Sequence, residues 1–367
     1  YAHGFSSARP HEHTLDSVES PRNDSWFLCA LGARRALTFL ERQPEVDGDR
    51  LGVYGHSMGG KLTVMVAGSD ARVKAAAPSC GGISDRDAKH PMIRAAICDD
   101  AYLKRITCPI MFLSPANDFH GRIDDLPSAA SEILSEDWRV TCAPHHNHQD
   151  TPAYEVATQI WMDQQLKGTF RWPSTPKTEM EFSRTGVLAR PGQAGTPVLQ
   201  EAATVPCITV HPDTSRQIHC VDVYYTQQGQ VDGEADDREN TMNRFWHHVV
   251  PTKQGDRWTA ELPLFSTDKP LWVYANVRYA LDEPISGAGY YYGIYTADAF
   301  NLSSLVHLVS ADQLQNAGVT PTLKPSLLIE DFEDNWQKEW FTYRPSDWAR
   351  STHKVYDPRW AAPEGAK

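Results

Sequence analysis

The sequence contains no apolar run that approaches the roughly 18 residues needed to cross a bilayer, and no signal-peptide pattern follows its first residue, Tyr1. Cysteine is sparse: Cys29, Cys80, Cys98, Cys108, Cys142, Cys207 and Cys220 are scattered without a C-x-x-C pair. That points away from a structural zinc site and from thioredoxin-like redox chemistry. An odd number leaves at least one thiol free. Cys207 and Cys220 are the pair that adjacent strands could bring together, although two buried free thiols are the simpler reading. Positive charge is also in short supply, with 35 Lys and Arg against 47 Asp and Glu for a net charge of −12. Nucleic acid and anionic membrane surfaces are therefore poor partners. Internal repeats and low-complexity tracts are missing as well.

What is present can bury a full core. With 367 residues and 41% hydrophobic content, the length suits two or three domains. The organising stretch is Gly55-His56-Ser57-Met58-Gly59, preceded by the apolar run Leu51-Gly52-Val53-Tyr54 and followed by Gly60-Lys61-Leu62-Thr63-Val64-Met65-Val66. A short strand, a glycine-flanked serine and a helix form the nucleophile elbow G-x-S-x-G. As a bare pattern it arises easily by accident; the strand before and the helix after give it weight. In such a turn Gly55 and Gly59 are expected to remove side chains that would collide with the neighbouring strand or helix. Ser57 then stands at a helix N-terminus, where the dipole and free N–H groups favour negative charge.

Around the elbow, strands and helices alternate. Residues 1–22 are polar and show no strand-like run. A helix capped within Asn23-Asp24-Ser25 is expected to run to Leu40 and to stop at Gln43-Pro44. Val73–Pro78, Pro109–Leu113 and Trp138–Cys142 read as strands, with helices at Tyr102-Leu103, Pro127–Ser135 and Tyr154–Gln165. The alternation implies a parallel, doubly wound α/β sheet over 1–180, which binds ligands beyond the carboxyl ends of its strands. From about residue 181 the texture changes to short apolar and aromatic runs separated by turn residues, as in Cys207–Val210, Val221–Tyr225, Phe245–Val249, Trp258–Leu262 and Leu271–Val277. An all-β antiparallel sandwich over 181–322 is expected, with Tyr224, Trp246, Trp272 and Tyr274 in its core. The Trp-rich stretch 323–367, with Trp336, Trp340, Trp348 and Trp360, reads as the start of a third, truncated β domain.

Serine is a weak nucleophile at neutral pH and needs a base that is itself oriented by a carboxylate. Ser57, Asp118 and His148 each follow a predicted strand, in the order Ser…Asp…His. Asp118 is the preferred acid; Asp124 and Asp125 lie further from the strand end and are expected to face solvent. His145 and His146 compete with His148 as base, and His148 is preferred because the loop needs length to swing back over Ser57. The Met58 N–H is expected to be one oxyanion donor. The rival use of the His cluster, a metal site with Asp150, lacks a second ligand cluster, so neither metal nor cofactor is expected. His120 reads as a polar loop residue.

With these residues in hand, the chain resembles the dienelactone-hydrolase and acetyl-xylan-esterase-like branch of the α/β-hydrolases. The similarity is carried by Glu19-Ser20-Pro21-Arg22-Asn23, Arg34–Leu40, Gly55–Lys61, Pro78-Ser79-Cys80-Gly81-Gly82 and Ser114–Gly121. The resemblance implies that Ser57, Asp118 and His148 act as nucleophile, acid and base in a serine esterase. It also implies acylated carbohydrate such as acetyl xylan as substrate, and an exported protein. Members of that branch carry further strands and an oxyanion loop upstream. The chain therefore resembles an internal fragment and is expected to be a poor esterase by itself. Two other readings are a prolyl-oligopeptidase-like peptidase and a carbohydrate-binding protein on a hydrolase scaffold. The oligomeric state is not legible.

Overall fold

A computed structural model describes residues 20–88, 91–184, 190–191, 197–198, 203–229, 238–289 and 293–323. The polar segment 1–19 and everything beyond residue 323, including Trp336, Trp340, Trp348 and Trp360, lie outside the described residues. Helix α1 (Ser25–Glu41) begins at a cap: the Asp24 carboxylate accepts a hydrogen bond from the Trp26 N–H at 2.8 Å, satisfying one of the unpaired donors of the first turn. Then follow β1 (Leu51–His56), α2 (Met58–Ala67), β2 (Val73–Ser79), α3 (Pro91–Ile97), α4 (Asp100–Leu103), β3 (Ile110–Leu113), α5 (Leu126–Glu132), β4 (Trp138–Thr141) and α6 (Pro152–Met162). The four strands are parallel and lie in the order β1-β2-β3-β4. Ala75 to Ala77 and Ile110 to Leu113 are almost free of solvent, as expected of strands covered on both faces.

Two helices differ from their expected bounds. α5 ends at Glu132 rather than Ser135, because the N–H groups of Leu134 and Ser135 turn to the Ile106 carbonyl at 3.0 and 3.1 Å. α6 starts two residues early, capped by Thr151, whose hydroxyl accepts from the Tyr154 N–H at 3.3 Å. Its last turn widens into a π-turn over Asp163–Lys167 and closes at Gly168 with φ +69°.

The remainder is β-rich. β5 (Lys177–Arg184), the short hairpin β6 (Arg190–Pro191) and β7 (Pro197–Val198), β8 (Thr204–His211) and β9 (Ile218–Thr226) lead to α7 (Arg238–Asn243). β10 (His247–Val249), β11 (Thr252–Gln254), β12 (Arg257–Glu261), β13 (Leu271–Gly289), β14 (Gly293–Ser303), β15 (His307–Val309) and α8 (Ala311–Asn316) complete it. One antiparallel sheet runs β10-β9-β13-β14 with β15 beside β13, and the other runs β11-β12-β8-β5. Their facing sides meet in one apolar cluster of Ile208, Val210, Trp258 and Ala260 with Val221, Val223, Val273, Ala275 and Val277. All seven cysteines are free, and Cys207 and Cys220 sit in different sheets.

The expected sandwich core is corrected here. Trp246, Trp272 and Tyr274 pack with Leu51, Val64, Ile110 and Phe112 of the parallel-sheet unit, and the partly buried Tyr224 packs against the same cluster. Side chains alternate along a strand, so β13 sends Val273, Ala275 and Val277 into the sandwich and Trp272, Tyr274 and Asn276 to the other face. Both faces of β13 are buried over Leu271–Val277, and that run is apolar throughout except for Asn276 for that reason.

The outer edge of β4 is covered by the same strands. The Cys142 N–H donates to Ser303 Oγ at 2.8 Å, and its carbonyl accepts from Asn276 Nδ2 at 3.1 Å. Backbone groups that an edge strand would leave open are thereby satisfied. Because the two units share these faces, heat unfolding followed by far-UV circular dichroism and by tryptophan fluorescence should give one coincident transition. Tyr274→Ala should cost about 3 kcal/mol, the usual loss for a deleted buried ring, without splitting that transition. Two separated transitions in the unmodified protein would contradict the shared core.

Candidate active site

The elbow is built from close backbone approaches. Ser57 adopts φ +61° and ψ −118° between β1 and α2, a conformation that costs a non-glycine residue about 1–3 kcal/mol and persists only where its surroundings enforce it. The Ser57 N–H extends the β1–β2 pairing by donating to the Ser79 carbonyl at 2.8 Å, and the Ser57 carbonyl accepts from Gly60 N–H at 2.8 Å. A Cβ on Gly55 would lie 2.4 Å from the Gly59 carbonyl oxygen, so Gly55 is required. Gly59 differs from expectation. A Cβ there meets nothing within 4 Å among the described residues; its own backbone is the obstacle that Gly55 avoids. Three further glycines carry comparable restrictions. A Cβ on Gly60 would sit 2.5 Å from Ser79 O, one on Gly81 2.4 Å from Ser57 O, and one on Gly121 2.5 Å from Gly81 N. Their signal in the sequence is position: Gly60 lies three residues after Ser57, Gly81 two after the end of β2, and Gly121 in the loop that follows β3.

Three loops, after β1, β3 and β4, bring Ser57, Asp118 and His148 together. The Ser57 hydroxyl donates to His148 Nε2 at 2.6 Å, and His148 Nδ1–H donates to Asp118 Oδ2 at 3.0 Å. The second oxygen of Asp118 accepts from the backbone N–H groups of His120 at 2.6 Å and Gly121 at 2.8 Å. Asp118 is fully buried. Burial pushes its carboxyl up, but the hydrogen bond and charge of His148, with the two backbone donors, outweigh this and hold it below its ordinary value. An ionised Asp118 fixes the proton on Nδ1 and leaves the Nε2 lone pair facing the serine. The rings of Phe119 and His56, at 4.7 and 5.1 Å between centroids, flank the imidazole. The Met58 N–H occupies the first position of α2, where the helix itself offers no acceptor.

The other candidates lie elsewhere. His145 is exposed, with its ring beside Tyr224 and Phe245, and the His146 carbonyl accepts from Asn117 N–H at 3.0 Å. Asp124, expected to face solvent, is instead buried against Arg244 at 2.6 Å, and Asp125 pairs with Arg122 at 3.0 Å. Asp150 does not join the histidine cluster. It lies 3.0 Å from His56 Nδ1 and accepts from the Ser79 hydroxyl at 2.7 Å and from Tyr54 at 3.3 Å.

His120 is more than a polar loop residue. Its Nδ1–H donates to the Cys80 carbonyl at 3.1 Å, and its Nε2 lies 3.6 Å from Asp85. Asp85 in turn lies 3.1 Å from the buried Lys61 ammonium, which also holds Asp99 at 2.8 Å. A lysine directly before the mostly apolar stretch Leu62–Val66 is the only sequence signal for this network.

Two groups bring three ligand-type atoms within 4.8 Å of one another among the described residues: His56, Cys80 and Asp150, and Cys80, Asp118 and His148. Both would need the Cys80 thiolate. Burial, reinforced by the charges of Asp118 and Asp150, pushes that thiol well above its ordinary value. A cation there would therefore compete with a tightly held proton.

Burial lowers the His120 pKa, and the hydrogen bond and charge of Asp85 more than compensate, raising it above 6.5. The pair's contribution to stability is thus fully present below pH 6.5 and lost as pH rises through the folded-state value. An NMR titration of the His120 ring should show a midpoint above 6.5 in the unmodified protein. In Asp85→Asn, where only the charges of Asp118 and Asp99 remain to oppose burial, the midpoint should fall from its value in the unmodified protein. An unchanged midpoint would show that Asp85 does not govern His120.

Residues 4–148 match the model of the dienelactone hydrolase family. No curated protein matches the chain. Among solved structures, an acetyl xylan esterase from Paenibacillus sp. R4 is 19% identical with a TM-score of 0.35, over 42% of this chain and 58% of that one. Acetyl xylan esterase 1 from Thermoanaerobacterium sp. JW/SL YS485 is 20% identical with a TM-score of 0.33, over 36% and 51%. A cold-adapted esterase from an Arctic intertidal metagenomic library is 22% identical with a TM-score of 0.32, over 41% and 65%. The chain thus spans little more than half the length of the first two structures. Its parallel-sheet unit is of the α/β-hydrolase type, and residues 4–148 are similar to the dienelactone hydrolase family.

Proposed function

We propose that the protein is a serine esterase that hydrolyses carboxylic esters through an acyl-enzyme, with acylated carbohydrate such as acetyl xylan as the substrate class. The observation that carries the reading is the continuous hydrogen-bond chain from the Ser57 hydroxyl through both nitrogens of His148 to the buried Asp118 carboxylate. The carbohydrate ester is what the motif resemblance at the elbow and the Asp118 loop implies.

In the first half-reaction, His148 Nε2 takes the Ser57 proton as Oγ bonds to the ester carbonyl carbon, whose oxygen becomes an oxyanion beside the Met58 N–H. Asp118 stabilises the imidazolium without taking its proton. Collapse of the intermediate breaks the bond to the leaving alcohol, which receives the proton from Nε2. In the second half-reaction, His148 deprotonates water, the hydroxyl oxygen bonds to the acyl carbon, and the Ser57–acyl bond breaks as Oγ regains a proton. The sum is ester plus water giving acid plus alcohol.

The test is a hydrolysis panel of acetylated xylan, longer aryl esters and peptides, run beside Ser57→Ala and Asp118→Asn. Ester turnover should fall by about 10⁴-fold or more in both variants, and acetylated xylan should be preferred over peptide. Turnover that survives Ser57→Ala would overturn the mechanism. Preference for peptides would overturn the substrate class.

A further inference from the structure

We infer that the β-rich unit is part of the catalytic apparatus: the segment 242–246, acting through Asn117, positions the Asp118 carboxylate against His148. The inference rests on the serine-hydrolase reading given above. It starts from a geometric requirement, because an acid that orients a base must be held to within a fraction of an ångström. Asp118 lies on the loop between β3 and α5, and that loop carries two side-chain grips from the β-rich unit.

The first grip is Asn117, the residue immediately before Asp118. Its Nδ2 donates to the Arg244 carbonyl at 2.8 Å and approaches the Met242 carbonyl at 3.4 Å, while its Oδ1 accepts from the Trp246 indole N–H at 2.8 Å. An indole N–H can only donate and a backbone carbonyl can only accept, so the orientation of the amide is fixed. Turning it over would leave mismatched polar groups in a place where Trp246 is fully buried and Asn117 nearly so. The second grip lies at the far end of the loop, where the buried Arg244 guanidinium meets Asp124 at 2.6 Å. One short segment therefore holds residues 117 and 124, on both sides of Asp118.

Asn117 also reaches the base. Its backbone N–H donates to the His146 carbonyl at 3.0 Å, two residues before His148. The root of that second loop is tied to the β-rich unit as well, since Cys142 N–H donates to Ser303 Oγ at 2.8 Å. Asn117, Trp246 and Arg244 touch none of the reacting atoms, so they are positioning residues. A simple structural brace would stabilise the loop; a positioning brace must also set the His148–Asp118 geometry and hence the activation of Ser57.

The experiment uses the full chain and two variants. Trp246→Phe keeps the ring and removes the N–H donor, and Asn117→Ala removes the amide while leaving Trp246 in place. The readouts are kcat and KM on an aryl acetate, the second-order rate of Ser57 labelling by a small fluorophosphonate, the thermal midpoint, and the downfield proton resonance of His148 Nδ1–H. In each folded variant, kcat and the labelling rate should fall about tenfold or more, with KM little changed and the Nδ1–H resonance shifted or broadened. Wild-type kcat and resonance in both variants, with Ser57→Ala inactive, would overturn the inference and leave the catalytic reading standing. Loss of folding in both variants would reduce the contact to a structural role and also overturn it. Full activity in Ser57→Ala would instead refute the catalytic reading itself.

Discussion

The close approach of three backbones around Ser57 is the constraint on which the site depends. The positive φ of the serine is held because β1, the turn after β2 and the loop after β3 come together without side chains between them. At Gly60, Gly81 and Gly121 a single added Cβ would lie 2.4–2.5 Å from a backbone atom of a neighbouring segment, and at Gly55 it would lie 2.4 Å from Gly59 across the elbow itself. Backbone cannot be moved aside as a flexible side chain can, so Gly60, Gly81 and Gly121 fix how near the Asp118 loop sits to Ser57. The backbone strain at Ser57 is offset by the packing of α2, whose Val64, Met65 and Val66 are almost solvent-free.

Around this crossing the protein buries charge, and it does so in pairs. The Lys61 ammonium, at the second turn of the elbow helix, is held by Asp99 and Asp85, and Asp85 also faces His120. Taking such ions out of water is unfavourable, and removing one partner of a buried pair typically costs about 3–5 kcal/mol because the other charge is stranded. The same loop that supplies the Asp118 carboxylate thus carries a histidine that is itself tethered, through Asp85, to the helix behind Ser57. Orientation of the site is shared among groups that never contact the reacting atoms.

The antiparallel sheets follow from the same need for closure. β4 is one of the two outer strands of the parallel sheet among the described residues, and its end carries the loop to His148. Ser303 and Asn276 satisfy the backbone of Cys142 at that end, while Trp272 and Tyr274 cover the apolar surface beside it. A strand that is apolar on both faces has two surfaces to bury, and β13 uses one for the sandwich and the other for the hydrolase-type sheet.

Local chemistry is legible in the sequence and long-range chemistry is not. A strand, Gly-His-Ser-Met-Gly and a helix are contiguous, so the elbow can be read from turn and helix rules alone, as can the start of α1 within Asn23-Asp24-Ser25, although only the structure selects Asp24 as the cap. Alternating strands and helices imply the parallel sheet, and Ser57, Asp118 and His148 can be singled out because each follows a strand whose carboxyl end must lie on one edge. The sequence cannot say which face of Leu271–Val277 looks into the sandwich, because period-two alternation carries no information when both faces are apolar. Nor can it pair Asp124 with Arg244 or Asn117 with Trp246, which lie 120 and 129 residues apart. Such partners are chosen by burial: once the two units close on each other, a polar group cut off from water must find whatever complementary group the fold has brought within reach.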